Sequence, residues 1–298
     1  MKILSRPQGN AEEYGRWSVN PYTGCPNRCE YCYLKKGVWK NVLGGDTPKL
    51  KEGVADEEQA FQLAMDEIRK NREQIIGDGG VFMSFITDPC AKETRSLFFR
   101  IAKDCIKPEN NIPVMLLTKC TDFLPYTIGK RDLRDEIRLT AAWTSTIGSL
   151  MANINKDNLA IGFSLTGHDE LEPNASPNAE RIKAIGFLHC SGYHTWASIE
   201  PVIDFPSSLD MVYQALNAGC EHFKIGLLTS NTRVCRDKYD VRDCLHFIED
   251  VMRMTSGKAT VYWKQSVRDL LGPDLEFHID IDEHSVGKDW SMFNNKNK

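Results

Sequence analysis

The sequence lacks the features that place a protein in or across a membrane. Its 298 residues contain no run of about 18 apolar residues, and the segment Met1–Arg6 has no apolar stretch of the kind found in signal peptides. Basic residues are not in excess, since 37 Lys and Arg stand against 41 Asp and Glu, and they form no basic stripe. These absences predict a cytoplasmic protein without membrane affinity, and they argue against duplex DNA as a partner.

The sequence also lacks a second tight group of cysteines. Seven of its ten cysteines are scattered, which is typical of reduced thiols that pack as small apolar side chains. These seven are Cys90, Cys105, Cys120, Cys190, Cys220, Cys235 and Cys244. The other three, Cys25, Cys29 and Cys32, form a C-x3-C-x2-C motif.

Three thiolates on one short loop are soft ligands that suit zinc, copper(I) or an iron–sulfur cluster. They can hold three irons of a four-iron cluster and leave the fourth iron open to a small molecule. A zinc site needs a fourth ligand nearby, but the next cysteine is Cys90 and the first histidine is His168. A disulfide needs an oxidising compartment. The motif therefore favours a cluster, with zinc as the alternative.

Apolar runs alternate with helical stretches along the chain, which is typical of βαβ units and a parallel sheet. The predicted strands cover residues 81–85, 113–118, 158–164, 193–199, 222–225 and 259–263. The predicted helices cover residues 56–76, 93–106, 131–152, 177–190, 206–218 and 240–254, and residues 36–55 are predicted to form a loop. No repeat or linker interrupts the chain. We therefore predict one domain over residues 1–298, with a core over about 17–263 and a C-terminal extension over 264–298.

Polar residues follow several of the predicted strands. They are Thr87-Asp88, Thr118-Lys119, Ser164, Glu200 and Lys224. In parallel α/β barrels the active site forms at the carboxyl ends of the strands. These residues are therefore candidates for an active site beside the cysteine loop.

The cysteine motif resembles the signature of the radical S-adenosylmethionine (radical SAM) family. The stretch from Gly24 to Leu34 resembles the cluster loop of its spore photoproduct lyase-like branch. Further similar segments are Thr87-Asp88, Thr118-Lys119, Phe163–Thr166 with Glu172-Pro173 and Arg181, and Ile199–Ile203. The resemblance spans about residues 18–203 and implies an α/β fold, a partial TIM-type (β/α)6 barrel.

The resemblance implies a [4Fe–4S] cluster on Cys25, Cys29 and Cys32, with S-adenosylmethionine chelated by the open iron. It implies that a reductant such as flavodoxin or ferredoxin supplies one electron. S-adenosylmethionine is then cleaved to a 5′-deoxyadenosyl radical, which abstracts hydrogen from a substrate that the sequence does not identify. Two other functions stay open, a non-catalytic zinc-binding adaptor and an iron–sulfur protein that only transfers electrons.

The resemblance also assigns roles to residues that bind S-adenosylmethionine. Tyr31 would lie near the adenine, or it is a packing aromatic. Thr87 and Asp88 would accept hydrogen bonds from the ammonium group, or they cap the following helix. Lys119 would meet the carboxylate, or it is a solvated lysine.

Two further positions follow from the same comparison. Ser164 would face the ribose or the carboxylate, with a hydroxyl that packs in the core as the alternative. Glu200 would touch the ribose hydroxyls. Glu172 and Arg181 fit a structural ion pair that supports their loop, either with each other or with other residues.

Spore photoproduct lyases carry a hydrogen-donating cysteine near the end of the second strand. Aligning Thr87 and its neighbour places Phe85 there, so the resemblance argues against repair of a DNA lesion. The remaining candidates for hydrogen donation are Cys90, which follows Pro89, and Tyr33, which equally fits an aromatic residue of the barrel wall.

Overall fold

The computed structural model describes residues 2–36, 39–124, 156–229 and 239–272. The strands of this part are β1 Leu4–Ser5, β2 Ser18–Val19, β3 Tyr22–Thr23, β4 Lys49–Leu50, β5 Val81–Met83, β6 Val114–Thr118, β7 Leu159–Ser164, β8 His194–Val202, β9 His222–Leu227 and β10 Thr260–Trp263. Eight of them form one sheet in the order β1-β2-β5-β6-β7-β8-β9-β10. The other two, β3 and β4, pair as an antiparallel ribbon.

The large sheet has the architecture of a partial α/β barrel. All neighbouring pairs from β2 to β10 are parallel, and β1 runs antiparallel to β2 at one edge. Among the described strands, β1 and β10 do not pair with each other, so the barrel stays open. The predicted fold class is therefore confirmed, with seven parallel strands in place of the six of a (β/α)6 barrel.

Helices connect the strands and cover the outside of the sheet. Those of the described ranges are Trp39–Val42, Glu57–Lys70, Arg72–Gly77, Arg95–Ile106, Asn178–Cys190, Phe205–Asn217, Val241–Thr255 and Gln265–Leu271. Three of them begin at an aspartate whose carboxylate accepts a hydrogen bond from the first turn, namely Asp56, Asp204 and Asp240. No described helix has the length and apolar composition that crossing a bilayer requires.

The structure differs from the sequence-based expectations at several places, including the strand predicted over 81–85, which ends at Met83, and the strand predicted over 222–225, which continues to Leu227. The helix predicted over 56–76 is broken at Asn71, whose side-chain amide donates to the carbonyl of Glu67 at 2.7 Å and so competes with the helical backbone. The loop predicted over 36–55 contains a short helix and β4. The strand predicted to end at residue 199 continues to Val202. The helix predicted over 131–152 lies outside the described residues.

The two faces of the sheet have separate cores. The larger core packs the sheet against the surrounding helices. The smaller core fills the interior of the barrel with Phe82, Met115, Ala160 and Trp196, which lie on four successive strands, together with Tyr14. Side chains of a strand alternate between its faces, so one residue of each strand in turn points inward. This inner core forms the floor on which the candidate site lies.

The segment before β2 forms hydrogen bonds across the open edge of the barrel. Glu13 accepts hydrogen bonds at its Oε1 from the backbone N–H of Gln265 at 2.7 Å and from the Tyr262 hydroxyl at 3.2 Å. The buried ammonium of Lys224 on β9 donates to the Glu13 carbonyl. Since Glu13 is followed closely by β2, this segment connects the β10 side of the opening to the β2 side.

Candidate functional site

One cavity of about 520 Å³ brings most of the predicted site residues together at the carboxyl ends of the parallel strands. The residues that the sequence predicted for the site line it, except Cys90 and Lys224. The residues brought together are Cys25, Cys29, Tyr31, Cys32, Tyr33, Thr87, Asp88, Lys119, Ser164 and Glu200. The cysteine loop and the strand ends, which are far apart in sequence, therefore line the same cavity.

The cysteine loop is shaped by backbone contacts with residues 43–47. The backbone N–H of Gly24 donates to Leu43 at 2.8 Å, and that of Cys25 donates to Gly45 at 2.9 Å. Gly24 has a φ of +77°, and a Cβ atom at this position would lie 2.4 Å from the Thr47 carbonyl oxygen. Only glycine fits such a close approach. The loop that carries the first thiol is therefore fixed by local backbone geometry.

The three cysteines of the motif are free thiols. Burial, together with the charge of Asp88, raises the pKa of Cys25 to about 12. Burial also raises the pKa of Cys29 to about 11, although the Lys119 ammonium opposes the shift. Thiols held in this way become thiolates when bound cationic iron or zinc compensates their charge. Within the described ranges, no three His, Cys, Asp or Glu residues are grouped as a site for a single metal ion.

Asp88 is a junction between the cysteine loop and the end of β6. Its Oδ1 accepts hydrogen bonds from the Thr118 hydroxyl at 2.5 Å and the Cys90 N–H at 2.9 Å. Its Oδ2 accepts from the side-chain amide of Asn27 and the backbone N–H of Lys119, both at 2.7 Å. A carboxylate offers about four acceptor positions, and all of them are used here. Asp88 therefore holds the cysteine loop and the end of β6 in position relative to each other.

Thr87 differs from Asp88, because its side-chain hydroxyl forms no hydrogen bond with the described residues. The residue is only 4% exposed, and its Oγ1 has no hydrogen-bond partner among the described residues. Buried hydroxyls in proteins are nearly always paired. An unpaired hydroxyl in the wall of a cavity therefore marks a position where a ligand can form the missing hydrogen bond.

A buried charge network lies beside the cysteine loop. The Arg181 guanidinium lies 2.6 Å from Glu172 Oε2, and both side chains are fully buried, which confirms the predicted structural ion pair. The Tyr31 hydroxyl donates to Glu172 Oε1, and the Lys119 ammonium lies 3.6 Å from the same oxygen. Burial alone would raise the pKa of Glu172, but Lys119 and Arg181 outweigh it and lower that pKa. The carboxylate is therefore ionised.

This network also anchors the loop. The backbone N–H of Glu30 donates to the carbonyl of Leu171 at 2.9 Å, next to Glu172. The Lys119 side chain is 14% exposed, and its ammonium lies 5.7 Å from the centroid of the Tyr31 ring. Lys119 is therefore enclosed in the site and is not a solvated lysine. At 3.6 Å its contact with the carboxylate is too long for a hydrogen bond, which leaves donor capacity toward the cavity.

The end of β8 contributes a second polar cluster. Glu200 lies where the pairing of β8 with β9 is irregular, between Ile199 and Val202, and such irregularities re-aim side chains. Its carboxylate oxygens lie 2.8 and 2.7 Å from the Lys264 ammonium. The Tyr14 hydroxyl also donates to Glu200. Both Tyr14 and Lys264 line the cavity.

The sequence did not identify Tyr14 or Lys264 as site residues. Lys264 directly follows β10, so the rule that polar residues gather at the ends of parallel strands could have found it. Tyr14 lies in an irregular segment before β2, where no periodicity indicates its direction. Only the folded chain brings these two residues together.

Of the two candidate hydrogen donors, Tyr33 lines the cavity and Cys90 does not, and Ser164 also lines the cavity. Cys90 is fully buried in the larger core and does not line the cavity. Tyr33 lines the cavity, is 50% exposed, and donates its hydroxyl hydrogen to the Phe85 carbonyl at 2.8 Å. Ser164 ends β7 and lines the cavity with little exposure, and its carbonyl accepts a hydrogen bond from Arg181 at 2.8 Å.

Comparison of the sequence with known proteins gives a distant relationship. No family model matches the chain. A relative described as "Uncharacterized protein MJ0683", from Methanocaldococcus jannaschii, is 25% identical over 205 residues, which cover 66% of this chain. The matched region spans 64% of that protein, which is less than two thirds of its length.

Comparison of structures gives a clear fold relationship. A mutant of spore photoproduct lyase has a TM-score of 0.60 at 12% identity, covering 89% of this chain and 80% of that one. Another mutant, with bound AdoMet and dinucleoside spore photoproduct, has a TM-score of 0.58 at 12% identity, covering 87% and 78% of the chains. Streptococcus suis SuiB bound to S-adenosylmethionine has a TM-score of 0.55 at 14% identity, covering 86% and 52%. These proteins are radical SAM enzymes. The chain therefore has the fold of the radical SAM enzymes, and its predicted similarity to spore photoproduct lyase is confirmed at the level of the fold.

Proposed function

We propose that this protein is a radical SAM enzyme, with a [4Fe–4S] cluster on Cys25, Cys29 and Cys32 and S-adenosylmethionine in the same cavity. The observation that carries the proposal is the convergence of three free thiols with polar residues from the ends of four parallel strands. The fold shared with spore photoproduct lyase and SuiB supports it.

The thiols fit a cluster by their chemistry and by their setting. Three soft ligands lie on a loop whose backbone is already fixed by residues 43–47 and by Leu171. When bound and reduced, such a cluster supplies the electron that cleaves S-adenosylmethionine to a 5′-deoxyadenosyl radical, which abstracts hydrogen from a substrate. The zinc-adaptor alternative needs a fourth ligand beside these thiols, and the sequence places no further cysteine or histidine close to the motif.

The polar residues of the cavity fit the groups of S-adenosylmethionine. The unpaired hydroxyl of Thr87 can accept a hydrogen bond from its ammonium group, and the donors of Lys119 can meet its carboxylate. Ser164 and Glu200 offer oxygens to the ribose hydroxyls. The Tyr31 ring offers an apolar face to the adenine. In this assignment Asp88 holds the site together and does not bind the ammonium, since its acceptor positions are used.

The proposed reaction needs a partner and a reducing setting. A reductant of the flavodoxin or ferredoxin class would supply the electron. The free cysteines among the described residues fit a reducing compartment such as the cytoplasm. Of the two predicted hydrogen donors, Tyr33 is the one that faces the cavity, whereas Cys90 would have to leave the core to take part.

The test is anaerobic reconstitution of the full chain with iron and sulfide. We expect a brown protein that absorbs at about 400 nm and carries about four irons. After reduction with dithionite it should release 5′-deoxyadenosine from S-adenosylmethionine. Cys29→Ala should lose both the colour and the cleavage. Cys190→Ala, at an exposed cysteine outside the motif, should keep both.

The alternatives give different results in this experiment. A zinc adaptor would stay colourless and bind zinc with about one ion per chain. An electron-transfer protein would bind iron but release no 5′-deoxyadenosine. If Cys29→Ala cleaved S-adenosylmethionine at the wild-type rate, the assignment of the cluster ligands would be wrong.

A further inference from the structure

Tyr14 is a buried phenol in the cavity wall that the proposed function leaves without a role. The residue is 8% exposed, and its ring packs against Phe82, Phe85 and Trp196 with ring centroids 5.6 to 6.1 Å apart. Its hydroxyl donates to the carboxylate of Glu200. Since a phenol has one hydrogen to donate, the Ser198 hydroxyl at 2.8 Å acts as a donor to it.

The other phenols and the thiols of the described cavity wall are less suited to donate a hydrogen atom. The thiols of the motif are the proposed cluster ligands. Tyr31 also donates to a buried carboxylate, that of Glu172, but it adjoins the proposed cluster ligand Cys32 and its hydrogen bond belongs to the network that anchors that loop. Tyr33 is half exposed, so a radical on it would be open to solvent. Tyr14 is enclosed by aromatic rings and held by two hydrogen bonds, so both the phenol and its radical are shielded.

The surroundings of Tyr14 favour loss of the electron and the proton together. The Lys264 ammonium lies 4.4 Å from the centroid of the Tyr14 ring. Loss of an electron alone would create a positive ring next to this cation, which is electrostatically unfavourable. Burial, together with Glu200, raises the pKa of Tyr14 well above its ordinary value. The phenol therefore stays protonated and does not become a phenolate.

From this geometry we infer that Tyr14 is a hydrogen-atom donor to carbon radicals formed in the cavity, an inference that rests on the proposed function. The Tyr14 O–H turns from the Glu200 carboxylate into the cavity, its O–H bond breaks as a C–H bond forms on the radical carbon, and Tyr14 becomes a neutral phenoxyl radical. One electron from a reductant of the flavodoxin or ferredoxin class and one proton restore the phenol. Lys264 and Glu200 form a hydrogen-bonded path for that proton.

The experiment needs no substrate, because S-adenosylmethionine alone is the probe. The reconstituted enzyme is reduced in D₂O, and the 5′-deoxyadenosine that forms is analysed by mass spectrometry. With Tyr14 as the donor, its exchanged O–D group delivers one deuterium to the nucleoside, and Tyr14→Phe lowers this labelling to the background. Tyr213→Phe, at an exposed tyrosine on the helix Phe205–Asn217, is the matched control and keeps the label.

Electron paramagnetic resonance provides a second readout, which detects the radical itself. The wild-type enzyme should show a tyrosyl radical whose signal narrows when the protein contains ring-deuterated tyrosine. Tyr14→Phe should lose this signal while it keeps its iron content.

The outcomes separate the two proposals. Equal deuterium labelling in wild type and Tyr14→Phe overturns the donor role and leaves the proposed function in place. Loss of the label in Tyr33→Phe, with retention in Tyr14→Phe, moves the role to Tyr33 and also overturns the inference. If the reconstituted wild type releases no 5′-deoxyadenosine at all, the proposed function fails and the donor role fails with it.

Discussion

The side-chain amide of Asn27 donates to Oδ2 of Asp88 at 2.7 Å and thereby joins the cysteine loop to the loop after β5. The same carboxylate holds the end of β6 through Thr118 and the backbone of Lys119. Three segments that are far apart in sequence are therefore aligned by one side chain. The position of the first cysteine relative to the strand ends depends on this junction.

Asp88→Ala should destabilise the cluster-free protein by about 2–4 kcal/mol, since hydrogen bonds to a buried charge are among the stronger ones and four donors lose their acceptor. It should also lower the iron content after reconstitution, because Asn27 is no longer held. Urea denaturation and an iron assay measure the two effects.

Asp122→Ala is the control for this prediction. Asp122 is exposed and lies 3.1 Å from the partly buried guanidinium of Arg95, and the loss of this exposed ion-pair partner should cost about 1 kcal/mol. If the two variants had the same stability and the same iron content, Asp88 would not be the junction of the site.

Thr87→Val tests the unpaired hydroxyl. Valine has nearly the shape of threonine, so the unliganded protein should keep its stability or gain slightly when the unpaired polar group is removed. The affinity for S-adenosylmethionine should fall by about five- to tenfold, which corresponds to about one hydrogen bond. Isothermal titration calorimetry on the reconstituted enzyme gives the affinity.

Thr94→Val is the matched substitution in the same region of the chain. The Thr94 hydroxyl is buried and donates to the Asp88 carbonyl at 2.6 Å, so its removal should lower stability by about 1 kcal/mol. It should leave the affinity nearly unchanged. An unaltered affinity in Thr87→Val would remove this hydroxyl from the ligand site.

The strand ends and the cysteine motif could be predicted from the sequence because both are local patterns. A run of apolar residues followed by Thr118 and Lys119 places these residues at the carboxyl edge of a parallel sheet, and the structure has them there. Gly24 and the three cysteines lie within the consecutive residues 24–32, so their grouping can be predicted without knowledge of the fold.

The division of roles among these residues could not be predicted, because it depends on contacts between distant segments. Asp88 is an acidic strand-end residue in the sequence, and only the structure shows that Asn27 and Thr118 already use its oxygens. Tyr14 and Glu200 are 186 positions apart, and no local pattern relates them. Tertiary hydrogen bonds therefore decide which polar residue remains available to a ligand.

Gly24→Ala should disturb the cysteine loop more than an ordinary glycine substitution. An alanine at φ +77° is strained by about 1–2 kcal/mol, and its Cβ would also lie 2.4 Å from the Thr47 carbonyl oxygen. The backbone must shift next to Cys25, so we expect a loss of more than about 2 kcal/mol in stability and a lower iron content. Chemical denaturation and an iron assay provide the measurements.

Gly9→Ala separates the effect of backbone strain at positive φ from the effect of a steric clash of the added Cβ atom. Gly9 has a φ of +61°, but a Cβ atom there would meet nothing within 4 Å. This variant should lose only about 1 kcal/mol and bind iron normally. Equal iron contents in the two alanine variants would show that the close approach at Gly24 does not shape the loop.

Glu172→Gln should cost about 3–5 kcal/mol, since it removes the negative partner of the fully buried Arg181 guanidinium. Glu180→Gln, which alters an exposed ion pair with Lys183, should change the stability by no more than about 0.5 kcal/mol. Thermal or urea denaturation of the cluster-free protein at neutral pH compares them. A small effect at Glu172 would mean that the network does not support the cysteine loop.

The same variant makes a prediction about pH, because the pKa of Glu172 is lower in the folded chain than in the unfolded one. Above the unfolded value of about 4.3 the carboxylate is ionised in both states, and its stabilising contribution is complete. As the pH falls through the folded pKa this contribution is lost, because the unfolded chain binds the proton first. The wild-type free energy of unfolding should therefore fall more steeply below about pH 4 than that of Glu172→Gln. Parallel slopes in urea denaturation across this range would contradict the ionised, ion-paired state of the buried carboxylate.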